Sequence, residues 1–121
     1  DEQQARQIYA GADFLLMPSR FEPCGLSQMF AQRAGALPIV HRTGGLADTV
    51  QDGVTGFHVT QLTVDGLLSC VRRAFNVFAQ KATLARMRTN AMSQTFSWRN
   101  SAHDYGSLYL RGIGNRAHQA R

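Results

Sequence analysis

The sequence predicts an α/β fold, a Rossmann-like parallel sheet flanked by helices. Short apolar segments begin at Phe14, Leu37 and Gly56, and stretches with helical periodicity separate them. Strands that alternate with helices in this way form parallel sheets through right-handed crossovers. Because three predicted strands stand against six predicted helices, we expect the sheet to continue in residues outside this chain.

Strands and helices alternate along the first half of the chain. Strand 13–17 is apolar nearly throughout, as expected of a strand that is covered on both faces. Gly35 ends the second helix, and Pro38 lies at the start of the second strand, where its missing N–H is least harmful. The predicted elements are helix 2–10, strand 13–17, helix 26–34, strand 37–40, helix 46–51 and strand 56–59.

The second half of the chain is predicted to be helical, over 64–80, over 82–93 and from Ser97 onward. Each helix has an apolar stripe that we expect to lie in the core. The stripes of the first and last helices are Leu67, Leu68, Val71, Phe75 and Phe78, and Trp98, Ala102, Tyr105, Leu108 and Tyr109. The predicted domain spans 1–112, and 113–121 is predicted to be a disordered tail because it lacks periodicity.

The composition is typical of a globular protein that spans no membrane and binds no nucleic acid. Apolar residues make up 44% of the 121 residues, without a run long enough for a membrane span. The net charge of +5 comes from twelve Arg against one Lys, and no basic strand is interleaved with aromatic residues. Cys24 and Cys70 are both predicted to be reduced, which favours a cytoplasmic protein. We expect Cys24 to line the site and Cys70 to be a small core or boundary residue. The polar, acidic start without Met predicts a piece of a longer chain.

Residues 18–28 (PSRFEPCGLSQ) form the most informative segment. They place the carboxylate of Glu22 in a strand-to-helix turn, which in a parallel sheet opens into the ligand crevice. Gly25 leaves the backbone amides at the helix start unobstructed, and such amides bind phosphate. The turn therefore predicts half of a nucleotide-sugar site.

Three blocks resemble the bacterial glycogen synthases and plant starch synthases (glycosyltransferase family 5). They are Ala12-Asp13 with 18–26, then 42–50 (RTGGLADTV), then Gly56-Phe57, and a looser likeness continues to about 112. The resemblance implies the C-terminal portion of the nucleotide-sugar domain of a GT-B enzyme. Such an enzyme transfers glucose from ADP-glucose to the non-reducing end of an α-1,4-glucan with retention, and without a metal or other cofactor.

The resemblance also implies roles for particular residues. Glu22 matches the family's catalytic glutamate, and the turn residues around it would contact sugar and phosphate. Many relatives in the wider retaining group hold the ribose with a second glutamate eight positions later, where this chain has Phe30. The implied binding residues are Cys24, Gly25, Leu26, Ser27, Gln28, Thr43, Gly44 and Gly45.

Two alternatives remain open on the sequence: a nucleotide- or glucan-binding module without catalysis, and another retaining GT-B transferase. The resemblance implies as partners ADP-glucose or ADP, the glucan acceptor and a missing N-terminal domain, in the cytoplasm or, in a plant, a plastid. The family's Arg/Lys pair for the diphosphate and its lysine-glycine-glycine-leucine motif are absent here. We therefore expect the chain alone to be inactive.

Overall fold

The computed structural model describes residues 1–119 of the chain. The elements are α1 (Glu2–Gly11), β1 (Phe14–Met17), α2 (Ser27–Ala34), β2 (Leu37–His41), α3 (Gly44–Thr49), β3 (Phe57–Val59), α4 (Val64–Ala79), α5 (Lys81–Ser93) and α6 (Trp98–Gln119). As far as Ser93, each begins and ends within two residues of its predicted bounds. None of the described helices combines the length and apolar character needed to cross a bilayer.

Local signals explain several of these bounds. The Asp1 side chain accepts a hydrogen bond from the Gln4 N–H and caps α1. The Thr63 hydroxyl caps α4 in the same way. Gly35 ends α2 with φ of 86°, a left-handed conformation that favours glycine.

The strands form one parallel sheet in the order β1-β2-β3. Phe14 is paired with Leu37, and Ile39 with Phe57. Because the strands are parallel, their carboxyl ends lie at one edge of the sheet, and the loops that follow β1 and β2 meet there. The predicted fold class is confirmed.

Two apolar clusters hold the sheet between helices. On one face, α4 and α5 cover a large cluster of buried residues: Leu37, Ile39, Phe57, Val59, Cys70, Ala74, Leu84, Met87 and Ala91. On the other face a smaller cluster contains Val40, Leu46 and Val50, with Met17 packed against it. Cys70 is a core residue, as predicted, and burial raises the pKa of its thiol.

The structure corrects two predictions about burial. Strand β1 is not covered on both faces, since Leu16 is 53% exposed at the edge of the described sheet. In α4, two residues of the predicted apolar stripe, Phe75 and Phe78, are exposed. The helix buries Cys70 and Ala74 instead. The rings of both phenylalanines lie about 6 Å from the ring of Phe14 at the margin of the core.

Helix α6 differs in part from its prediction. Its stripe was expected to be mostly core, with part of it exposed because the resemblance implies that this helix packs against another domain. Trp98 is 81% exposed, and Tyr105 and Tyr109 are exposed as well. The helical periodicity predicts that the apolar face of α6 is buried, but no surface of the described residues covers this face. The sequence predicts a tail over 113–121, whereas the backbone is helical as far as Gln119; Ala120 and Arg121 lie outside the described residues.

A polar network ties the loop after α3 to β3 and α4. One carboxylate oxygen of Asp52 accepts the His58 backbone N–H at 2.7 Å and the Arg73 guanidinium at 2.6 Å. Burial raises the pKa of Asp52, but these two hydrogen bonds outweigh it and lower the pKa below its ordinary value. Burial lowers the pKa of His58; the nearby Asp52 charge opposes this shift and Arg42 adds to it.

We expect His58 to make stability fall in mild acid. The unfolded chain takes up a proton on this histidine near pH 6.5, whereas the folded chain does so only at its lowered pKa. The contribution is therefore complete above pH 6.5 and is lost as the pH falls through the folded-state value. Urea unfolding at several pH values between 7.5 and 5 measures this loss in the free energy of unfolding.

The variants His58→Gln and His103→Gln test the assignment. His103 is exposed, so its replacement should leave the pH dependence of the unfolding free energy unchanged. Replacement of His58 should flatten it. An equal slope in wild type and His58→Gln would show that another group is responsible.

Candidate active site

The loops after β1 and β2 dock onto each other through their backbones. The Gly45 N–H donates a hydrogen bond of 3.0 Å to the Glu22 carbonyl oxygen. Nearer β1, the Ser19 carbonyl oxygen lies 2.9 Å from Nδ1 of His41, at the end of β2. These contacts join the two sequence blocks into one surface at the carboxyl edge of the sheet.

Gly44 and Gly45 make this docking possible. A Cβ on Gly44 would lie 2.1 Å from the Glu22 carbonyl oxygen, and its φ of +43° is unfavourable for other residues. A Cβ on Gly45 would lie 2.3 Å from the Cys24 carbonyl oxygen. Sequence reasoning treated these glycines as ligand-binding positions and missed their close approach to the first loop. The Gly45 N–H in particular is engaged within the protein.

The amides at the start of α2 are available to a ligand. Within the described residues the N–H groups of Cys24, Gly25, Leu26 and Ser27 donate no hydrogen bond. Gly25 has a φ of +73°, which turns the backbone sharply at this point. A helix start with free amides favours an anionic group such as phosphate.

The predicted site residues differ in how far they reach the surface. Glu22 is half-buried beside the free amides, and Cys24 is exposed. Phe30 is 55% exposed on the next turn of α2. The side chain of Gln28, a predicted binding residue, instead lies fully buried beneath the turn, so it cannot meet a ligand directly.

No cluster of three or more metal-ligating side chains exists among the described residues. A cavity of about 460 Å³ lies between α2 and residues 94–97. Glu22 is not among the residues that line this cavity.

Comparison with known proteins agrees with this geometry. The model of the family "Glycosyl transferases group 1" matches residues 1–94. The chain belongs to this family. It is 56% identical over 111 residues to glycogen synthase 1 of Bradyrhizobium diazoefficiens, a match that covers 92% of this chain and 24% of that protein. The chain thus spans about a quarter of the length of this relative.

Solved structures of two glycosyltransferases are similar in fold. The catalytic domain of starch synthase IV from Arabidopsis thaliana, bound to ADP and acarbose, is 37% identical with a TM-score of 0.79, covering 94% of this chain and 25% of that one. Sucrose-phosphate synthase from Thermosynechococcus elongatus is 26% identical with a TM-score of 0.70, covering 95% and 29%. The likeness to glycogen and starch synthases predicted from the motif blocks is confirmed.

We expect Gly45→Ala to disrupt the docking of the two loops. The new methyl group would overlap the Cys24 backbone, and overpacking of this kind costs about 1–3 kcal/mol. Urea unfolding measures the loss, and amide chemical shifts of 22–28 report the displaced loop. Gly11→Ala is the matched control, since a Cβ there meets nothing within 4 Å. Equal stability of the two variants would contradict the packing role of Gly45.

Proposed function

We propose that this chain is the C-terminal portion of the nucleotide-sugar domain of a GT-B enzyme, an ADP-glucose-dependent glycogen or starch synthase. The proposal depends on one observation above all: the half-buried Glu22 lies two residues before a run of backbone N–H groups that form no hydrogen bond within the described residues. The 56% identity to a glycogen synthase supports this choice among the group 1 transferases.

The arrangement suits glucosyl transfer from a nucleotide diphosphate. The bond between the anomeric carbon and the diphosphate oxygen breaks, and a bond from that carbon to a hydroxyl oxygen of the α-1,4-glucan forms with retention. The proton of that hydroxyl passes to the departing diphosphate. Positive charge develops on the sugar, which the Glu22 carboxylate stabilises. The free N–H groups of Cys24, Gly25, Leu26 and Ser27 bind sugar and phosphate oxygens. No step needs a metal ion.

ADP as the donor nucleotide is proposed from the likeness to starch and glycogen synthases. Phe30, eight positions after Glu22, offers no carboxylate to a ribose, which separates this chain from relatives with a second glutamate. The remaining partners in the proposal are the glucan acceptor and an N-terminal domain that forms the opposite wall of the cleft. The compartment is the cytoplasm, or a plastid in a plant.

A different sugar-transfer reaction is the second candidate, favoured by the likeness to sucrose-phosphate synthase. In either reaction, the carboxyl edge of this sheet binds a nucleotide sugar. The donor base separates the candidates experimentally, since the main proposal requires preference for ADP.

We expect the chain to bind ADP more tightly than UDP. Titration of isotope-labelled protein with ADP, UDP and ADP-glucose, followed by amide chemical shifts, measures both affinity and location. Saturable shifts should appear at 22–28 and at 43–46. Glu22→Gln should keep the ADP shifts and weaken those added by the glucose of ADP-glucose.

Preference for UDP would contradict the proposed donor and favour the second candidate. Folded protein without any shift at millimolar ADP would contradict a site preformed within these residues.

We also expect the chain alone to transfer no glucose from ADP-glucose to glycogen. The cations that stabilise the departing diphosphate lie, by the family resemblance, in parts of the enzyme that this chain does not contain. Loss of such stabilisation costs about a hundred- to a thousandfold for each group removed. Incorporation of labelled glucose into glycogen measures the rate. Measurable turnover by the isolated chain, with a complete glycogen synthase assayed in parallel as the positive control, would overturn the prediction.

A further inference from the structure

We infer that Gln28 and Thr49 are positioning residues that lock the Glu22 loop onto the start of α3. The inference deepens the proposed function and rests on it only for the use that the locked surface serves. Residues 22–25 contain the carboxylate of the site and the first of its free amides. The contacts that hold these residues against the second loop therefore determine the geometry of the site.

The buried side chain of Gln28 hydrogen-bonds to the backbone of the first loop. Its side-chain Nε2 lies 2.9 Å from the Gly25 carbonyl oxygen and 3.1 Å from that of Cys24. The same nitrogen lies 3.1 Å from Oγ1 of Thr49, at the end of α3. A single buried amide therefore contacts both the turn before α2 and the helix that follows β2.

Thr49 completes the connection to the second loop. Its hydroxyl donates a hydrogen bond of 2.6 Å to the Gly45 carbonyl oxygen and accepts from Gln28. The Gly45 N–H in turn donates to the Glu22 carbonyl oxygen. The path from Glu22 through Gly45, Thr49 and Gln28 back to Gly25 is closed, so each loop constrains the other.

The burial of Gln28 argues for this positioning role over simple space filling. The side chain is 0% exposed, and its Oε1 has no hydrogen-bond partner in the described part of the chain. Burying an unsatisfied carbonyl oxygen is unfavourable, and an apolar side chain of similar size avoids that penalty. What the glutamine adds is the set of hydrogen bonds to the site loop.

Gln32 provides a matched control within the same helix. It is also 0% exposed, and its Oε1 is likewise without a partner among the described residues. Its Nε2 donates to the Thr49 carbonyl oxygen at 3.0 Å and makes no hydrogen bond to residues 22–25. A purely structural role for buried glutamines in α2 predicts equal effects at both positions, whereas positioning predicts an effect at Gln28 alone.

Amide hydrogen exchange at Gly45 tests the lock without any ligand. This N–H lies in the first turn of α3, so its hydrogen bond to Glu22 reports docking of the loop rather than helix formation. In Gln28→Met and in Thr49→Val, Gly45 should exchange about tenfold faster relative to the amides of β2, as expected when one hydrogen bond is lost. Gln32→Met and Thr49→Ser should exchange like wild type.

ADP affinity of the same variants provides the second readout. We expect Gln28→Met and Thr49→Val to weaken ADP binding by about tenfold, with combined effects that are less than additive, and Gln32→Met to leave it unchanged. Equal effects of Gln28→Met and Gln32→Met on exchange at Gly45 would overturn the inference. If Gln28→Met does not fold, Thr49→Val against Thr49→Ser decides the same question.

The two proposals fail in different ways. Selective exchange at Gly45 in a chain that binds no ADP supports the lock and contradicts the proposed ligand. ADP binding that is insensitive to both Gln28→Met and Thr49→Val, with unchanged exchange at Gly45, supports the ligand and overturns the lock.

Discussion

The site depends on one contact, the packing of the Glu22 loop directly onto the backbone of Gly44 and Gly45. No side chain fits between these segments, since a Cβ on either glycine would overlap the first loop. This contact fixes the backbone of the loop that carries Glu22 and the free amides before α2. A parallel sheet makes the contact possible, because both loops leave the same edge.

Most of the fold could be predicted because its signals are local. Helical periodicity, Gly35 as a stop and short apolar runs located every element up to Ser93. Burial was harder to predict, because it depends on what lies opposite a given face. Phe75 and Trp98 occupy positions with helical spacing, but both are largely exposed in the described part of the chain.

The site could be predicted in its position and less well in its internal contacts. Glu22 and the amides before α2 were found because a carboxylate and a glycine in a strand-to-helix turn have a recognisable pattern. The burial of Gln28 was missed, since its direction is set by Thr49, far along the sequence. Gly44 and Gly45 looked like ligand-binding residues because their close neighbour, the first loop, is visible only in three dimensions.

The two faces of the sheet have different roles. One mainly stabilises the fold, and the other helps to shape the site. Under α4 and α5, nine buried residues form the large apolar cluster, whereas the face under α3 has only Val40, Leu46 and Val50. The second face also contains Gln28 of α2, whose buried amide hydrogen-bonds to Thr49 of α3 and to the loop before α2. Apolar packing is non-directional, and hydrogen bonds are directional. The face that adjoins the site therefore has less apolar burial, and directional hydrogen bonds take its place. A carboxylate and a row of amides directed at one ligand require such contacts, because their orientation must be fixed.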